Sequence, residues 1–179
     1  MSKKIHNREY FEKHCEIVAL LANRADKEDP AVKHHIRSAV REASNHVSYV
    51  LGKGKKTAEF MSEAAHELMK NGDFSEITHE HVVPVSFINK KVMALPIIDT
   101  KSVAELIAKY AIRAVIAKAE NDKLRLCYLT KDMPEDYIEG DVFSRYTTAK
   151  ITALPNLYAE LYRDYRNKLP KSSNIQASP

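Results

Sequence analysis

Apolar side chains recur at helical spacing in four stretches of the chain, and this spacing predicts four helices. The predicted helices span residues 8–24, 31–51, 55–70 and 100–118. Asp29 followed by Pro30 is typical of an N-cap and first helical position, so it marks the start of the second helix. The fourth helix has candidate N-caps at Thr100 and Ser102. Gly72, within Asn-Gly-Asp, predicts the end of the third helix.

Two shorter stretches have β character. Residues 74–87 are rich in β-branched side chains, and residues 124–130 alternate apolar and polar positions as a strand does. Residues 131–137 are typical of a turn or a short helix, and the last ordered element is predicted within residues 143–169. Because two strands alone are marginally stable, helices must cover one face of them. The sequence therefore predicts an α+β fold that is mainly α, with a small β-hairpin.

The length of 179 residues favours a single domain, which we place at residues 1–169. It comprises N-terminal helices over residues 8–72, a β-containing segment over 74–151 and a C-terminal helix over 152–169. Residues 170–179 have almost no apolar content, which predicts a mobile tail.

Composition limits the compartment and the partners. No apolar run is long enough to span a bilayer and no signal peptide is recognisable, so we expect a cytoplasmic protein without a membrane partner. Cys15 and Cys127 lie far apart in the sequence, which predicts two small core residues rather than a disulfide or a thiolate zinc site. The net charge of +4 fits contact with an anionic polymer but does not require it.

An acidic residue and a histidine stand side by side in Glu80-His81, just before Val82-Val83-Pro84. Adjacent residues on a strand point to opposite faces, so both side chains can share a site only if the strand ends or twists there. Pro84 favours this, because proline holds the preceding residue out of the helical region. The pair is thus a candidate site at a strand end.

The run Glu80-His81-Val82-Val83-Pro84, followed by Ser86-Phe87, resembles the acid-His-Val/Ile-Val-Pro signature of HNH nucleases, members of the His-Me-finger or ββα-metal group. The segment from Leu126 to Asp132, with Arg145-Tyr146 after it, also resembles uncharacterised bacterial and phage HNH-like proteins. The resemblance covers residues 74–151 and leaves the N-terminal helices without a role.

The resemblance implies a divalent-metal-dependent endonuclease, with DNA favoured over RNA as substrate. His81 would be the general base and Glu80 a ligand of a hard cation, Mg²⁺ in first place and Mn²⁺ in second. The family usually supplies a further Asn, Asp or His ligand, but no Asn-x-x-His pattern follows Thr130 here. Asp132 would be the second metal ligand, because it immediately follows the predicted strand end, and Glu135 and Asp136 are the alternatives. Arg145 would contact a phosphate of the nucleic acid.

Other residues have alternative interpretations. His79 is interpreted as an exposed strand residue, and the histidines 34, 35 and 46 as solvated helix positions. A weak contact with phosphates stays open for Lys53, Lys55 and Lys56. The tyrosines and arginines between residues 158 and 166 are as consistent with helix packing as with contacts to phosphates and bases.

Two further functional classes stay open. The missing Asn/His ligand favours a non-catalytic HNH-fold binding protein or inhibitor, of phage or mobile-element origin, that acts on a host nucleic-acid system or a host defence system. Alternatively, the motif is fortuitous and the N-terminal helices form the interface of a homo-oligomer.

Overall fold

The computed structural model describes residues 7–50 and 58–155. Its helices and strands follow one another in an α+β arrangement, as the sequence predicted. In chain order they are α1 (Asn7–Ala22), α2 (Pro30–Val50), β1 (Phe60–Ser62), α3 (Glu63–Lys70), β2 (Ile77–His81), α4 (Val85–Met93), α5 (Thr100–Tyr110), β3 (Arg113–Ala117), α6 (Lys118–Leu126), α7 (Ser144–Thr148) and β4 (Ala153–Pro155). A single 3₁₀ turn, Phe74–Glu76, precedes β2.

The strands form one mixed sheet in the order β2-β3-β1-β4. β2 and β3 are antiparallel, with Glu80 opposite Ala114 and His81 opposite Arg113. β1 runs parallel to β3 and antiparallel to β4. The predicted two-stranded hairpin is therefore wrong, because two helices separate β2 from its partner in the chain and two more strands extend the sheet.

The helices pack into a core beside this sheet. Apolar faces of α1, α2, α4 and α5 meet around Val18, Val40, Ile88 and Ile107, all of which are completely buried. A second cluster joins the sheet to α6 and α7 and includes Val82, Ile116, Leu124 and Tyr146. Burial of these apolar side chains is the main term that holds the elements together.

The helix ends agree with the local chemistry of the sequence. Asp29 caps α2, where its Oδ1 accepts a hydrogen bond of 2.8 Å from the amide of Ala31. At α5 the cap is Asp99 rather than Thr100 or Ser102, and its carboxylate accepts from the amide of Ser102 at 2.7 Å. Gly72 follows α3 with φ of +83°, a conformation that glycine adopts without strain.

Several predicted elements differ from the structure. Residues 85–87, assigned to the β-rich stretch over residues 74–87, begin α4. Phe60 and Met61, assigned to the third helix, lie in β1, and residues 113–117, assigned to the end of the fourth helix, form β3. Residues 124–126, assigned to a strand, form the last turn of α6. Ala153–Pro155, assigned to the C-terminal helix over residues 152–169, form β4. The rest of that helix, the tail and residues 51–57 lie outside the described residues.

Of the two cysteines, Cys15 is buried as predicted, whereas Cys127 is exposed. Across residues 7–50 and 58–155, we find no helix with both the length and the apolar character needed to cross a membrane.

Candidate active site

The end of β2 opens into a cleft of about 990 Å³. Glu80 and His81 line it together, because β2 ends at His81 and the chain turns there through Val82 and Val83 towards α4. Asp132 lines the same cleft from the loop that follows α6. The three residues that the sequence proposed as base and metal ligands are therefore neighbours of one cavity.

The carboxylate of Glu80 faces the interior of the protein. Its Oε2 accepts a hydrogen bond from the guanidinium of Arg145 and lies 3.4 Å from the hydroxyl of Tyr146. Burial raises the pKa of Glu80, while Arg145 and Tyr146 act in the opposite direction. Glu80 is thus a partly buried carboxylate whose charge is compensated by an internal cation.

Arg145, on α7, is completely buried, so the predicted contact with a nucleic-acid phosphate does not fit its position. Its Nε donates to the carbonyl of Val82 at 2.6 Å and its Nη1 to the carbonyl of Leu129 at 2.7 Å. Its Nη2 donates to Glu80 and to the carbonyl of His81. Since guanidinium presents its donors in a fixed plane, this one side chain fixes the end of β2 against the loop after α6.

His81 is held in a neutral state. Burial and the positive charges of Arg113, Arg145 and Arg41 lower the pKa of the imidazole to about 4. Its Nε2 is buried and has no hydrogen-bond partner among the described residues. An unsatisfied buried polar atom costs about 1–3 kcal/mol, so it is retained only where another requirement outweighs that cost.

Asp132 is tied to α4. Its two carboxylate oxygens accept from Nζ of Lys90 at 2.8 and 2.6 Å. The hydroxyl of Ser86 donates to the backbone carbonyl of Lys131, which adds a second link between α4 and this loop. Glu135 and Asp136, the alternative acids, do not line the cleft.

The opposite wall of the cleft is α2, which sequence reasoning assigned no role. Its contribution comes from five polar residues: His34, Arg37, Ser38, Arg41 and Asn45. The signal was present in the sequence, because positions 37 and 41 are one helical turn apart and share a face. Sequence alone could not show that this face looks onto a cavity rather than onto open solvent.

Positive charge dominates the lining. Arg37, Arg41 and Lys131 form no ion pair with an acidic side chain in the part of the chain that the structure describes. The two acids of the cleft are each compensated, Glu80 by Arg145 and Asp132 by Lys90. The cleft therefore has an excess of positive charge and suits an anionic ligand.

A divalent cation finds only part of a site here. Within residues 7–50 and 58–155, no three His, Cys, Asp or Glu side chains are grouped so that they could hold a metal. Glu80 and Asn89 are residues of the cleft lining, and their side chains carry oxygen atoms of the kind that Mg²⁺ prefers. Oδ1 of Asn89 is buried and has no hydrogen-bond partner among the described residues.

The structure also locates two of the histidines that were interpreted from the sequence. His79 is exposed, in agreement with its interpretation, and His34 is exposed at the rim of the cleft. Lys53, Lys55 and Lys56, and the tyrosines and arginines between 158 and 166, are outside the described residues.

Comparisons with known proteins add no assignment. Neither a scan against protein-family models, nor a search of curated proteins, nor a search of solved structures found a match to this chain.

Proposed function

We propose that the protein is an HNH-like endonuclease, dependent on a divalent metal, that hydrolyses phosphodiester bonds of nucleic acid, with DNA as the preferred substrate. The observation that supports it best is the position of His81. A neutral imidazole with an unpartnered nitrogen lines a cleft with excess positive charge, where a phosphodiester would be bound. The order β2, β3, α6, with α6 packed on both strands, agrees with a ββα arrangement interrupted by two helices.

In this proposal the imidazole of His81 accepts the proton of the attacking water. A pKa near 4 makes it a weak base in the free protein. A bound phosphate would bring negative charge beside the three arginines that depress this pKa, and it would therefore raise the pKa towards the range suited to proton transfer. Binding of the substrate would then itself raise the pKa of His81 and so activate it as the base.

The remaining groups of the cleft position the substrate. Arg41 and Lys131 offer charge to the phosphate oxygens, and Arg145 keeps the carbonyl of His81, and hence its backbone, in place. Glu80 and Asn89 would hold the cation, with Asp132 as a further ligand if it leaves Lys90. A hard cation, when bound there, would supply positive charge that offsets the negative charge of the phosphate and of the leaving oxygen.

The test is cleavage of supercoiled plasmid with Mg²⁺ or Mn²⁺ by the full chain and by His81→Ala. We expect nicking or linearisation by the wild type, none in EDTA, and loss of cleavage in the variant. Equal cleavage by both proteins, or by neither, would contradict the proposal.

Asp132→Asn separates the roles of the second acid. If Asp132 binds the cation, the variant needs more Mg²⁺ for the same rate, whereas Lys90→Met, which frees the carboxylate, needs less. Unchanged metal dependence in both variants would exclude Asp132 as a ligand.

One observation favours a second candidate, a non-catalytic HNH-fold protein that binds nucleic acid or inhibits a host defence system. Both acids of the cleft are engaged by cationic side chains, and such pairs leave less negative charge for a metal. DNA binding by wild type without cleavage in either metal is the result that this candidate predicts.

A further inference from the structure

Of the polar face of α2, only Arg41 has a role in the chemistry proposed above, yet the whole face forms a continuous wall of the same cleft. Its five residues lie at positions 34, 37, 38, 41 and 45, which share one side of a helix. At 1.5 Å per residue the row extends about 16 Å along the helix axis. All but Asn45 are exposed, and Asn45 is half-buried.

The charge of this row is uncompensated. Arg37 and Arg41 form no ion pair with the acids that the structure describes, although many exposed cations of the protein do, such as Lys33 with Glu28 at 2.5 Å. Exposed arginines without an acidic neighbour, facing a concave surface, are suited to phosphate oxygens, which the planar guanidinium can bind through two donors at once.

The chemistry of the lining indicates what kind of nucleic acid it accepts. Proteins that bind single strands combine positive charge with aromatic side chains on which bases stack. The cleft is lined by no Phe, Tyr or Trp side chain of the described residues. Among the described residues, its cationic and polar side chains therefore favour contacts to the sugar–phosphate backbone, as expected for an intact duplex, and only imidazole and guanidinium groups could stack on a base.

We propose that the face of α2 at residues 34–45 is a docking surface for the backbone of a nucleic-acid duplex, bound without sequence specificity through Arg37 and Arg41. The inference rests on the proposed function, since it assigns the substrate of that cleft. It also gives the N-terminal helices a role: α2 holds one strand of the duplex against the edge of the cleft where His81 lies.

The test is binding of a labelled random-sequence DNA duplex to the full chain in EDTA, followed by fluorescence anisotropy between about 50 and 200 mM salt. Each phosphate contact contributes about 0.9 to the slope of log K against log salt, so we expect Arg37→Ala/Arg41→Ala to reduce the slope by about 1.8 and to weaken binding. Arg37→Lys/Arg41→Lys, which keeps the charge, should recover most of the affinity.

The matched control is Arg24→Ala/Arg125→Ala. These two arginines are also exposed, and each is paired with a nearby acid, Asp26 at 2.7 Å and Asp122 at 3.2 Å. The control changes the net charge by the same amount away from the cleft, and we expect the wild-type slope. Equal losses in both double variants, an unchanged slope in Arg37→Ala/Arg41→Ala, or tighter binding of the single strand than of the duplex would overturn the proposal.

Failure of the α2 surface and failure of the nuclease proposal would give different results. Salt-dependent duplex binding through α2 without cleavage in Mg²⁺ would retain this surface and reject the enzyme. Cleavage by Arg37→Ala/Arg41→Ala with an unchanged KM would retain the enzyme and reject this surface.

Discussion

The guanidinium of Arg145 donates a hydrogen bond of 2.6 Å from Nε to the backbone carbonyl of Val82, 63 residues earlier in the chain. The same group reaches the carbonyls of Leu129 and His81 and the carboxylate of Glu80. A buried cation therefore connects the residues that form one side of the cleft, and its role is to hold the site in shape rather than to touch substrate.

Arg145→Ala should lower the free energy of unfolding by about 3–5 kcal/mol, because it leaves the partly buried carboxylate of Glu80 and three backbone carbonyls without their donor. Urea denaturation measures the loss. A double variant, Arg145→Met/Glu80→Leu, should lose less than the single variant, since it removes both charges. A loss below about 1 kcal/mol for Arg145→Ala, as is typical of surface ion pairs, would show that the guanidinium is not buried in solution.

His81 makes stability depend on pH. Its pKa is about 4 in the folded protein and 6.5 as a free side chain, so the unfolded chain binds more protons between these values. The stabilisation is complete above pH 6.5 and is lost as the pH falls towards 4. Between about pH 7.5 and 5 we expect His81 to account for a loss of about 2 kcal/mol.

Urea titrations of the wild type and of His81→Gln at the two pH values measure this term. The variant should lack it, so its stability should change less between them. The pKa of Glu80 is raised, so its contribution to the free energy of unfolding depends on pH in the opposite direction. That contribution is present at low pH and is lost as the pH rises. Because both proteins retain Glu80, the difference between them isolates His81, and identical pH dependences would contradict the depressed pKa.

The pH dependence of kcat/KM for cleavage should differ from that of kcat. The acid limb of kcat/KM reports the free protein and should lie near the pKa of about 4, whereas that of kcat reports the complex. Because bound phosphate counteracts the arginines around His81, the limb of kcat should lie at higher pH. Coincident limbs would show that substrate does not change the pKa of the base. Arg41→Gln, which removes one of those charges, should move the limb of kcat/KM upward.

A buried pair outside the lining of the cleft sets the position of two helices. The hydroxyl of Ser62 donates to the carboxylate of Glu120 and accepts from the amide of Ala65 at 3.1 Å, while Glu120 also accepts from the amide of Ala117 at 2.9 Å. Ser62→Ala removes the cap of α3 and one partner of a buried carboxylate, so we expect a loss of about 2–3 kcal/mol in thermal or urea unfolding. Ser75→Ala, at an exposed position, is the control and should change stability by less than about 0.5 kcal/mol.

The features that could be predicted from the sequence depend on interactions between residues that are close together in the chain. The spacing of apolar residues predicted α1, α2 and the start of α5, and Asp29 with Pro30 located the start of α2. The strand end at Glu80-His81 was also predicted, because Pro84 and the β-branched residues before it restrict the backbone directly. These features depend on interactions within a few residues, which the sequence displays.

Features that depend on distant partners were not predictable. β3 is buried along nearly its whole length, so its apolar residues continue the pattern of α5 without the alternation of a half-exposed strand. β1 has three residues and exists through pairing with β3 and β4, which are remote in sequence. The alternation of residues 124–130 was misleading, since Leu126 and Tyr128 are exposed. Arg145 looked like a surface cation because nothing in the sequence records its four interior partners.

The wall that α2 contributes to the cleft has a consequence for modularity. Residues 74–151 contain the motif, its buried arginine and the loop with Asp132, but the facing wall comes from a helix that ends before residue 51. A graft of the motif segment onto another scaffold would transfer the histidine and lose the five residues that α2 contributes to the lining. The smallest unit that preserves this cleft therefore begins with the N-terminal helices and extends through α7.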